Sequence, residues 1–145
     1  MNREKHNLSA SNREIISVLG HAARFNHLNS ESFDPASLWN RVDGDMDLLR
    51  ELVELFAQEV PRMLAQIEDA INHRSASDLE KASHKLKGSV LQFSARAASA
   101  IALELEENAR EGSTAGSELL LGKLKQEIDA LQATLQTMVC DDASR

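Results

Sequence analysis

Little in this 145-residue sequence interrupts a helix: it has two prolines and six glycines. So few breakers beside abundant Ala, Leu and Glu leave little room for anything but an all-α chain. There is a single cysteine, Cys140, which excludes an internal disulfide. No partner for it points to thiol catalysis. No run of about 18 apolar residues occurs, so nothing is built to span a membrane. No apolar stretch near the start has the form of a secretory signal. A net charge of −7 lacks the basic face that general nucleic-acid binding needs. Gly-rich phosphate loops of the two common types are absent. None of His6, His21, His27, His73 and His84 has a Glu three residues before it, so the bundle-type di-metal pattern is missing and no metal is expected. What remains is 42% hydrophobic and 27% charged, an ordinary balance for one globular domain, and a cytoplasmic setting is expected.

Residues 1–32 read as an N-terminal tail or linker, with a short amphipathic helix expected near 12–24 around Ile15, Ile16, Val18 and Leu19. Asp34-Pro35 is a start signal, because Asp caps and Pro fits the first helical position. The short helix it opens should run over 35–42 with Trp39 as a core plug. Asp45 caps a long helix over 45–73, whose apolar residues recur at spacings of 3 and 4 and which Pro61 should bend. Ser77 with Glu80 reads as a capping box opening a helix over 77–93. Two more helices are expected over 96–111, closed by Gly112, and over 117–138, with a frayed tail at 141–145. Short connections make neighbours antiparallel. The expected fold is an up-down-up-down four-helix bundle over 33–140, with the 35–42 helix capping one end.

The stretch that stands apart is Ala82-Ser83-His84-Lys85-Leu86-Lys87-Gly88-Ser89. Leu79, Ala82, Leu86, Val90 and Phe93 form its apolar stripe, and His84 lies roughly 140° round from Leu79. Lys87 and Gly88 follow at i+3 and i+4, so the three are expected to share one outward patch. Glycine in mid-helix costs about 1 kcal/mol against Ala, which suggests a bare spot that a partner approaches. A neutral imidazole is a nucleophile toward activated phosphoryl groups, and a cation one turn on would balance the phosphoryl charge. Between 77 and 96, Lys81, Lys85, Lys87 and Arg96 outweigh Asp78 and Glu80, a local basic patch suited to an acidic partner site.

His84-Lys85-Leu86-Lys87-Gly88-Ser89 resembles the His-x-Leu-Lys-Gly-Ser motif of the histidine-containing phosphotransfer (HPt) family. The resemblance extends over about 33–138, through Phe33-Asp34-Pro35, Arg41-Val42-Asp43-Gly44-Asp45, Leu103-Glu104-Leu105-Glu106 and Ala109-Arg110-Glu111-Gly112. One departure is Ser94-Ala95, where the family often has Gly-Ala. The resemblance implies that His84 is phosphorylated, that Lys87 is the phosphoryl charge partner, and that Gly88 gives the partner clearance. With Lys81, Lys85 and Ser89, Gly88 would form the docking surface. It also implies a monomeric phosphocarrier without kinase activity of its own. Its partners would be response-regulator receiver domains, with a hybrid sensor histidine kinase as a further one. No cofactor is implied on this chain, since Mg²⁺ would sit on the receiver. Two other readings share the bundle: the phosphoacceptor module of a chemotaxis-type histidine kinase, and a helical adaptor without phosphochemistry.

Overall fold

A computed structural model describes residues 33–143. The short amphipathic helix expected near 12–24 lies outside the described residues. Five helices and no strand occur among the described residues: α1 (Pro35–Arg41), α2 (Met46–Asn72), α3 (Ala76–Leu91), α4 (Arg96–Arg110) and α5 (Ser117–Ala143).

The helix starts follow local chemistry. Asp34 accepts from the Ser37 N–H with Pro35 at the first position, and Asp45 accepts from the Leu48 N–H, as their side chains predict. The cap of α3 is a correction. Ser75, not Ser77, accepts from the Asp78 N–H, and Ser77 lies in the first turn. Arg74 explains the choice: at φ 54° it ends α2 in a left-handed turn, so the next residue, Ser75, takes the extended cap position. α2 continues through Pro61, which is exposed. At the other end of the chain, α5 continues to Ala143, beyond the expected end at 138 and into the stretch read as a frayed tail.

The turn from α3 to α4 repeats the geometry of the turn from α2 to α3 without its cap. Ser94 is left-handed at φ 57°, and Ala95 opens α4 with no side-chain cap. A non-glycine residue held there costs roughly 1–2 kcal/mol. The Ser94 hydroxyl, 3.0 Å from that of Ser37, ties the turn to α1 and offsets part of that cost. The departure at Ser94-Ala95 therefore keeps a glycine-type turn with a serine in it.

Four seams join the long helices: α2 with α3, α3 with α4, α4 with α5, and α5 back to α2. The core between them is aliphatic, with Leu49, Ile67, Leu79, Leu86, Leu105, Leu124, Ile128, Leu135 and Met138 almost wholly buried. Trp39 is buried in the same cluster, as expected of a plug.

Candidate functional site

α3 presents His84 because its buried stripe faces the other way. Leu79, Ser83, Leu86 and Val90 are inside, while the His84 side chain is 68% exposed. The ring is not loose. Its Nδ1 lies 2.9 Å from Oε2 of Glu106 on α4. Glu106 is only 4% exposed, and three basic side chains converge on it. Arg110, one turn on, places Nη2 at 2.8 Å from the same Oε2. Lys87 Nζ lies 2.9 Å from Oε1, an ion-pair contact outside hydrogen-bond geometry. Arg110 also donates from Nε to Oε2 of Glu80 at 3.1 Å, which stitches α4 back to α3 one turn before His84.

The electrostatics of Glu106 set the state of the ring. Burial alone would push its carboxyl up. The close contacts and charge of Lys87 and His84 outweigh it and hold the carboxyl below its ordinary value. An ionised carboxylate only accepts hydrogen bonds, so His84 Nδ1 must carry the hydrogen. In the neutral ring the lone pair is then on Nε2, on the side away from Glu106.

This arrangement divides the residues singled out by sequence. His84 and Lys87 meet, but through Glu106. Lys87 does not stand in an outward patch: it is 23% exposed and lies against the carboxylate. Lys81 and Lys85 line a different region, a cleft of about 360 Å³ between α2 and α3 shared with Gln66, Asp69, His73 and Asp78. Gly88 is bare, and a Cβ built on it would meet nothing within 4 Å. The Ser89 hydroxyl lies 3.5 Å from the Met63 sulfur, in a shallow cleft with Leu52, Leu55 and Phe93. Of the basic residues in 77–96, Lys87 is matched on the α4 side by Glu106, whereas Lys81 and Lys85 stand on the α2 side.

Glu106 and Arg110 had no assigned role in the sequence reading, although a signal was there. Ala98, Ala102, Leu105 and Ala109 mark the inward stripe of α4, and Glu106 falls on it. A charge at a core-facing position needs a partner from another helix. Ser83, also fully buried, has no hydrogen-bond partner for its hydroxyl. Among the described residues no group of three or more His, Cys, Asp or Glu side chains is placed to hold a metal. No helix among them is long and apolar enough to cross a membrane.

A family model described as the Hpt domain matches residues 51–134, more than half of the chain, and the matched span contains both His84 and Glu106. The chain belongs to the Hpt domain family. Hpt domains act in histidine phosphotransfer within phosphorelays, as phosphocarriers that work with receiver domains of response regulators. Searches of curated proteins and of solved structures returned no match.

Proposed function

We propose that this chain is a phosphocarrier in which His84 accepts a phosphoryl group from an aspartyl phosphate on a receiver domain and passes it to another receiver. The observation that carries the reading is the ring itself, with Nδ1 pinned to a buried carboxylate and the rest exposed. In the transfer, the Nε2 lone pair attacks phosphorus and a P–N bond forms. The bond from phosphorus to the aspartyl oxygen breaks, and the receiver's carboxylate leaves with the electron pair. The proton on Nδ1 stays, so the ring gains a positive charge that Glu106 faces. The return step reverses these changes.

Lys87 is the cation for the phosphoryl group, reached by turning away from Glu106. Gly88 gives clearance, and Lys81, Lys85 and Ser89 meet the partner around it. Mg²⁺ belongs to the receiver, and a hybrid sensor histidine kinase is a further candidate donor. The protein acts in the cytoplasm, as a single copy, and does not use ATP itself. We read the fold as an antiparallel up-down-up-down four-helix bundle with α1 as a lid over the α3–α4 turn, supported by the closed ring of seams and the Ser37–Ser94 contact.

Mixing the protein with a phosphorylated receiver and Mg²⁺ should place acid-labile phosphate on His84. The variant His84→Gln should melt like the native protein, within about 1 kcal/mol, because the ring is outside the core, and should take no phosphate. Phosphate that persists on the variant, or never reaches the native chain, would sink the reading.

A further inference from the structure

We propose that Arg110 is the positioning residue that lets this site keep a phosphoryl group, by offsetting the two carboxylates on the α4 side of His84. The inference rests on His84 being the phosphoacceptor.

The geometry is a small grid across the α3–α4 seam. Glu80 and His84 stand one turn apart on α3, and Glu106 and Arg110 stand one turn apart on α4. Arg110 touches both acids, with Nη2 at 2.8 Å from Glu106 and Nε at 3.1 Å from Glu80. A guanidinium reaches two acceptors through separate N–H groups held in one plane, so a single cation lies against both carboxylates.

The charges explain why this matters. Before transfer, Glu80 and Glu106 balance Lys87 and Arg110. Transfer then places a dianionic phosphoryl group on Nε2 while Nδ1 keeps its proton, so the site gains one net negative charge. That charge is added beside two carboxylates. Without Arg110 it would face both of them with Lys87 as the remaining cation. Arg110 is 55% exposed, so solvent weakens the effect without removing it.

A purely structural clamp makes a different prediction. If the Glu80–Arg110 pair only fastened α3 to α4, losing either partner would have the same consequence. If charge is what counts, the two losses act in opposite directions.

The test is the equilibrium distribution of radiolabelled phosphoryl between this chain and a receiver, with thermal melts reporting the fold. Arg110→Met should shift the equilibrium away from His84 by about tenfold, the scale of one charge interaction at partly screened range. Glu80→Gln should shift it toward His84. Arg110→Lys, which keeps the charge, should recover most of the native distribution. Glu80→Gln moving the equilibrium the same way as Arg110→Met, or neither variant moving it while native His84 loads normally, would overturn this inference alone. A native chain that takes no phosphate on His84 would overturn the phosphocarrier reading and this inference with it.

Discussion

The two sides of α3 differ in kind. Toward α4 lies the charged set of Glu80, Glu106, Arg110 and Lys87 around the His84 ring. Toward α2, beyond His84 along the helix, lies the shallow cleft of Leu52, Leu55, Phe56, Met63 and Phe93, with Leu55 itself 55% exposed. Lys85 and Lys87 make the contrast concrete. They are two residues apart on one helix, yet Lys87 lies half-hidden on a buried carboxylate while Lys85 is exposed along the other seam. What separates them is which neighbouring helix each one meets. The α4 side sets the state of the imidazole, and the α2 side offers surface.

The sharpest way to break this comparison is at Gly88, which stays bare next to both sides. Gly88→Leu should reduce phosphotransfer by about 100-fold, since a partner displaced by even 1 Å loses alignment with Nε2. The free protein should be at least as stable, because the added side chain meets open space and helix propensity favours it by about 1 kcal/mol. A Leu variant that melts early, or transfers at the native rate, would mean that Gly88 has no docking role.

Next in size is the pair of lysines. Lys87→Ala should slow transfer by about tenfold, the equivalent of 1.4 kcal/mol, at all salt concentrations, through loss of a charge beside the phosphoryl group. Lys85→Ala should weaken partner association only a few-fold, and that difference should vanish in high salt because an exposed charge is screened. Equal, salt-insensitive effects from both would erase the distinction between the two sides.

The smallest effect is on stability. Glu106→Gln should cost about 1 kcal/mol at neutral pH, from lost charge-assisted contacts to partners, His84 and Arg110, that stay largely exposed to water. The Glu106 carboxyl is held below its ordinary value, so its contribution is complete above the unfolded carboxyl's range and fades as pH falls through the lower folded value. Melts of native and variant should therefore converge as pH drops through the acid range. A gap that stays constant down to low pH would detach Glu106 from its cations.

The sequence by itself determined the helices and the outward place of His84 on its own helix. Spacings of 3 and 4 describe which face of each helix is apolar, and Asp34-Pro35 and Asp45 name their own caps, because those contacts lie within one turn of chain. His84 was legible because it falls off the stripe of its own helix. The cap of α3 lies two residues before the serine the sequence favours, since two serines compete and the left-handed backbone at Arg74, a non-glycine residue, is not written in the sequence. The tertiary structure alone decided how His84 is held. Glu106 is 22 residues away along the chain, and only the α3–α4 seam brings its carboxylate to Nδ1. The same seam turned Lys87 inward and left Lys85 out. Local periodicity fixes which way a side chain points from its own helix, whereas the partner it finds there depends on the registry of a second helix, which side-chain packing sets across the whole core.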